Sequence, residues 1–97
     1  MRIKTTPFDP ARYLDTPESQ AELLSDAFET GDASYIADAL GIVARAKGMT
    51  QIAKEAGVTR EALYKTLSVK GDPKLTTLLG VLKALGVQVA IIPKHAA

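Results

Sequence analysis

The stretch from Met49 to Leu67, MTQIAKEAGVTREALYKTL, constrains the fold more than any other part of the chain. It predicts two short helices joined by a tight turn, with apolar residues at helical spacing in both halves. Ala53 is small where two helices must nearly touch, Gly57 follows four residues later, and the aliphatic Leu63 follows six residues after that. This spacing is typical of a helix-turn-helix, whose second helix lies in the DNA major groove. The alternative is an ordinary helical hairpin inside a small bundle.

Hydroxyl side chains stand where the two helices of this stretch should begin. Thr50 and Thr59 are predicted N-caps, since a hydroxyl can accept a hydrogen bond from an unpaired N–H of the first turn. Thr66 occupies a position that is normally aliphatic, with Leu67 beside it. We therefore expect a slightly rotated second helix or a half-buried Thr66.

Long polar side chains follow Thr59 on the side of the second helix away from Leu63 and Leu67. The N-terminal residues of a recognition helix meet base edges. Arg60 can bind guanine and Glu61 can accept a hydrogen bond from cytosine. The residues predicted to contact DNA are Thr50, Gln51, Thr59, Arg60, Glu61, Tyr64, Lys65 and Lys70. For each basic side chain, the alternative is a solvated surface charge.

Charge is distributed unevenly along the 97 residues, although the net charge is only +1. Residues 1–40 hold three basic and eight acidic side chains, for a net charge of −5, whereas residues 41–97 hold nine and three, for +6. The basic half suits phosphate. The acidic half suits a basic protein or keeps that end of the chain away from DNA. The alternative is that the two halves neutralise each other within the fold.

Helix start and stop signals predict an all-α domain of about five helices with a short C-terminal strand. Thr16-Pro17 and Asp32 should begin helices that run to about Thr30 and Lys47. Asp72-Pro73 should begin a leucine-rich helix that is too short for a coiled coil, so we expect its leucines in the core. Asp9-Pro10 should open a further short turn, and residues 2–6 tolerate an extended conformation. The predicted parts of the single domain are an acidic extension (1–31), a helix-turn-helix core (32–86) and a terminal strand (87–92).

Residues 87–92, VQVAII, are β-rich and lie between a glycine and a proline. A single strand is not stable alone. It must pair with residues 2–6, with the same strand of a second copy, or with a strand of another protein. We favour a homodimer through Val87, Val89 and Ile91.

Signals for other functional classes are missing from the sequence. The chain has no cysteine, and its one histidine, His95, lies two positions before the last residue. It shows no metal-ligand spacing, glycine-rich phosphate loop or Ser/His/Asp set. We expect no enzyme activity, metal or cofactor. Neither a signal peptide nor a run of transmembrane length is visible, so a cytoplasmic protein without membrane contact is expected.

Nearly the whole chain resembles antitoxins of bacterial addiction modules, the short antidote proteins with a Cro/C1-type helix-turn-helix. The resemblance rests on FDPARYLD (8–15) and on residues 31–87, above all REALYKTLS followed by GDPKLTTL. It implies a lambda-repressor-like domain of a type II toxin–antitoxin system. Such a protein represses its own operon and neutralises a small basic toxin of the RelE/ParE-like class encoded beside it. Family carry-over puts DNA contacts on Gln51, Thr59, Arg60, Glu61, Tyr64 and Lys65.

The surface that binds a toxin is predicted from charge alone, within the acidic segment 15–38. The candidate residues are Glu18, Glu22, Asp26 and Glu29. Two other functions stay open. One is a stand-alone repressor of the phage type, and the other is a protein-interaction module without DNA binding.

Overall fold

Residues 16–94 are described by the computed structural model, and within this range the chain forms five α-helices and no strand. The helices are α1 (Pro17–Thr30), α2 (Ala33–Lys47), α3 (Met49–Ala56), α4 (Arg60–Thr66) and α5 (Leu75–Leu85). The predicted all-α class is therefore confirmed for these residues. The extended stretch at 2–6 and the turn at Asp9-Pro10 lie outside the described residues.

Side-chain caps begin α1 and α2 where the sequence predicts them. The Thr16 hydroxyl accepts a hydrogen bond from the Ser19 N–H at 3.1 Å, and Pro17 follows at the first helical position. The Asp32 carboxylate accepts from the N–H groups of Ser34 and Tyr35. Each cap satisfies backbone donors that have no partner within the helix.

The predicted cap at Thr50 is wrong, because α3 begins one residue earlier. Gly48 takes φ +123° and ψ 105°, a backbone conformation open to glycine, and turns the chain sharply after α2. The Ile52 N–H already donates to the Gly48 carbonyl at 3.1 Å. Thr50 therefore lies inside the first turn, and α3 has no side-chain cap.

The predicted start of α5 at Asp72-Pro73 is also wrong. Lys74 keeps an extended backbone, with ψ 155°, and the helix begins at Leu75 without a side-chain cap. Residues 71–74 carry the chain from the turn after α4 to α5. The fixed φ of proline suits this extended connection as well as it suits a helix start.

The core lies where α3 and α5 pack against each other and against α2. Close backbone approach makes this packing possible. A Cβ on Gly80 of α5 would lie 3.1 Å from the Ala56 Cα of α3, and a Cβ on Gly41 of α2 would overlap the Leu67 carbonyl oxygen. The largest fully buried side chains are Leu40, Val43, Ile52, Leu63, Leu67 and Val81.

Only part of the leucine-rich helix is core. Leu82 and Leu85 are buried and Leu78 is half-buried, but Leu75 and Leu79 are 67% and 56% exposed. The expectation that all these leucines are core is therefore wrong for the first turns of α5. Apolar residues cover more than one side of this helix, so hydrophobic spacing alone cannot select the buried side.

The predicted terminal strand is not formed. After Gly86 ends α5, residues 87–94 run without helix, strand, turn or bend. The Val87 N–H donates to the Leu82 carbonyl at 3.1 Å as part of the helix cap. A strand is defined by a ladder with a neighbour, and no described residue provides one for this segment. No helix within residues 16–94 is long and apolar enough to cross a membrane.

Candidate functional site

The turn between α3 and α4 consists of Gly57, Val58 and Thr59. Gly57 takes φ +77°, and the Val58 N–H donates to the Ala53 carbonyl at 3.0 Å, which closes α3. The Thr59 hydroxyl then accepts from the Ala62 N–H at 3.0 Å, so the predicted cap of α4 is confirmed. These bonds fix the direction in which α4 leaves the turn.

Burial divides α4 into two sides. Leu63, together with Leu67 just after the helix, is fully buried, and Thr66 is half-buried. The side chains of Arg60, Glu61, Tyr64 and Lys65 are exposed. The core therefore holds one side of α4 and leaves the polar side open to a ligand.

Arg60 and Tyr64 contact each other one helical turn apart on the exposed side of α4. The guanidinium carbon lies 5.1 Å from the centre of the tyrosine ring, and one guanidinium nitrogen donates to the phenol oxygen at 3.4 Å. A cation over an aromatic face is attracted to it, at an exposed site by about 0.5–1 kcal/mol. This contact restricts the Arg60 rotamers and leaves other guanidinium donors for a ligand.

The other predicted DNA contacts border α4. Gln51 in the first turn of α3 donates to the Glu55 carboxylate, and Lys70 lies in a turn closed by the Gly71 N–H and the Ser68 carbonyl at 2.8 Å. All eight residues predicted to contact DNA are exposed. They belong to α3, the turn, α4 and the following loop.

Acidic side chains dominate the exposed surface of α1. No Lys or Arg occurs between Thr16 and Ala44, a segment that contains six Asp and Glu residues. The four candidates for partner binding, Glu18, Glu22, Asp26 and Glu29, are all exposed. This surface is strongly negative and lies on a different helix from the residues predicted to contact DNA.

An open groove of about 400 Å³ lies between α1 and the segment after α5. Leu24 and Phe28 contribute apolar surface from α1, and Glu29 places a carboxylate on the same wall. Residues 87–92, including all three predicted dimer contacts, form the opposite wall. The sequence did not predict that the acidic helix α1 and the terminal segment after α5 would lie side by side.

Two glycines that support the site were missed in the sequence. Besides Gly41, which lies against the end of α4, Gly71 comes so close that a Cβ would overlap the Thr66 carbonyl oxygen. Neither glycine has positive φ, so no turn signal could have indicated them. Within residues 16–94, no group of three or more His, Asp or Glu side chains could hold a metal.

Comparison with known proteins assigns the chain to a family. The model of a family described as "probable addiction module antidote protein" matches residues 4–93. The chain belongs to this family. A Haemophilus influenzae protein called uncharacterized is 42% identical over 81 residues, which cover 84% of each chain. No solved structure matches.

Membership of the antidote family supports an antitoxin role and implies a toxin as partner. The match begins before α1 and ends after α5, so it includes the acidic helix, the α3–α4 pair and the groove. The geometry around α4 and the family description therefore concern the same domain.

Proposed function

We propose that this antidote-family protein represses its own operon by sequence-specific DNA binding and neutralises a small basic toxin encoded beside it. One observation carries the DNA-binding part. The side of α4 opposite its buried leucine presents Arg60, Glu61, Tyr64 and Lys65 together at the surface. These residue types bind base edges and phosphates when a helix enters the major groove.

The proposed mode of binding is that of a helix-turn-helix. The N-terminal end of α4 enters the major groove, and Arg60 takes guanine with two donors. Thr59 still has its hydroxyl hydrogen to donate to a phosphate, although its oxygen accepts the Ala62 N–H. Lys65 and Lys70 add phosphate contacts, which supply affinity and set the position of the protein without reading sequence.

Two copies on one operator are part of this proposal. A single helix-turn-helix reads few base pairs, and dimers of such proteins bind half-sites about one helical turn apart. The expected toxin belongs to the RelE/ParE-like class, and the exposed acidic residues of α1 are the proposed contact for its basic surface. A stand-alone repressor without a toxin is less well supported, because the family description is that of an antidote.

A mobility-shift titration against the promoter of the gene and against random DNA tests the DNA-binding part. We expect the wild-type protein to prefer the promoter and to bind more weakly as salt rises. Arg60→Ala should reduce that preference by about 5- to 150-fold, the range for one bidentate base contact. The folded state should be unaffected, because Arg60 is exposed.

Lys83→Ala is the matched control, since it also removes one positive charge, from an exposed position in the last turn of α5. It should leave the promoter preference unchanged. Equal binding of promoter and random DNA by the wild-type protein would overturn the repressor proposal. Failure of the product of the adjacent gene to co-purify with this chain would overturn the toxin part separately.

A further inference from the structure

Three properties of the terminal segment, residues 87–94, suit it to pair with another strand. Val89, Ile91 and Ile92 are 47%, 92% and 76% exposed. The segment runs without a turn or bend from Val87 to Lys94. Beyond the Val87 N–H, its backbone makes no hydrogen bond with another described residue. An extended apolar backbone with unpaired N–H and C=O groups is a template for strand pairing.

The groove beside the segment can receive the side chains of a pairing strand. Its walls are Leu24 and Phe28 of α1 on one side and the terminal segment on the other. Residues along a strand alternate between its two faces. A strand added to the free backbone would therefore place alternate apolar side chains over this groove and direct the others to solvent.

The charge of α1 indicates which kind of molecule can bind in the groove. The helix that forms one wall carries Glu18, Glu22 and Asp26 at the surface and Glu29 in the groove, with no basic residue between Thr16 and Ala44. A second copy that paired the same segments across a two-fold axis would bring two such acidic helices together. Like charges facing each other disfavour that complex, whereas a basic partner is attracted.

We infer that residues 88–92 and the groove along α1 bind an extended, apolar segment of a basic protein by strand addition, with the partner's basic side chains meeting the α1 carboxylates. This inference rests on the proposed function and identifies the site of contact with the toxin. It assigns the terminal segment to the toxin instead of to the second copy that the sequence favours.

Hydrogen exchange of the full chain, alone and with the purified basic protein encoded by the adjacent gene, tests the inference. The amides of residues 88–92 should exchange freely in the protein alone at every concentration. They should become protected in the complex, together with α1. Protection of other segments only would overturn the inference and leave the antidote proposal intact. Absence of any binding would overturn both.

Other occupants of the groove would give different results in the protein alone. Protection that rises with protein concentration would mean a second copy. The amides of residues 88–92 could instead be protected at every protein concentration and lose this protection when residues 2–6 are replaced by glycine and serine. That result would mean that the N-terminal part of the same chain occupies the groove. Either result contradicts the inference.

Paired proline variants separate strand addition from simple apolar contact. The N–H groups of adjacent residues in an extended chain point to opposite edges, so only one of Val89→Pro and Ala90→Pro removes a donor from the partner's edge. That variant should bind about tenfold more weakly than the other. Equal affinities would overturn the strand-addition geometry. Both variants should fold normally, because neither amide is bonded within the described chain.

Charge reversal supplies a second, independent readout. Glu29→Lys should lower the affinity for the partner at low salt by about tenfold and by less at high salt, where charges are screened. Asp72→Lys makes the same change of charge at an exposed position in the loop before α5 and is the control. An equal loss in the two variants would show that net charge, and not the groove, attracts the partner.

Discussion

Gly41 lies in the middle of α2, where an alanine would ordinarily favour the helix by about 1 kcal/mol. Here the added methyl group would overlap the carbonyl oxygen of Leu67, which ends α4. We expect Gly41→Ala to lower the free energy of unfolding by about 1–3 kcal/mol, the usual cost of overpacking a core. Urea denaturation followed by circular dichroism measures this change. A variant as stable as the wild type would contradict the close approach of α2 and α4.

Single residues were predictable from the sequence when their role is local. Thr16, Asp32 and Thr59 cap helices because each bond joins groups two or three positions apart. Gly41 was not predictable, since its constraint comes from a residue 26 positions later in the chain. Thr50 was mistaken for a cap because Gly48 starts α3 by backbone geometry alone.

At the scale of the element, the two sides of α5 should differ in their effect on stability. Leu82→Ala removes a buried side chain, and we expect a loss of about 2–5 kcal/mol in the free energy of unfolding. Leu79→Ala makes the same chemical change three residues earlier, at a 56% exposed position, and should cost less than about 0.5 kcal/mol.

Thermal unfolding of the two leucine variants at several protein concentrations measures this difference. Equal losses at low concentration would contradict the orientation of α5. A loss for Leu79→Ala that appears only at high concentration would indicate that the exposed leucines contact another copy.

The bounds of a helix were predictable from the sequence where a capping residue or a glycine marks each end. Its buried side was predictable where the apolar residues form a single stripe along the helix. The extents of α1 and α2 satisfy this condition. The structure of the terminal segment was not predictable in this way. Strand propensity says how well a side chain suits a β-sheet, but it does not say whether a neighbouring strand is present. Residues 87–92 run without a turn or bend, as a strand would, but form no hydrogen-bonded ladder with any described residue.

At the scale of the whole molecule, the acidic and basic halves of the sequence place the acidic residues of α1 and the residues predicted to contact DNA on different helices. Glu29 of α1 lines one groove with the terminal segment, and the other carboxylates of α1 are exposed on the same helix. The exposed polar residues of α4 belong to a different helix pair. Charge counts along the chain predicted two kinds of surface. They could not predict that the terminal segment joins the acidic one, since that depends on how α5 packs against the rest of the fold.

This separation predicts that operator DNA and the basic partner bind at the same time. The residues proposed for the two ligands do not overlap, and a basic partner held on α1 adds positive charge to the complex. We expect the product of the adjacent gene to slow the protein–promoter band further in a mobility shift and to leave the apparent affinity for DNA unchanged or higher. By linkage, DNA should not weaken partner binding. Glu29→Lys is the control, since it should bind the promoter as the wild type does and should show the additional shift only at higher concentrations of the partner. Release of DNA on adding the partner would contradict separate surfaces and would mean that the partner contacts α4 or excludes the second copy from the operator.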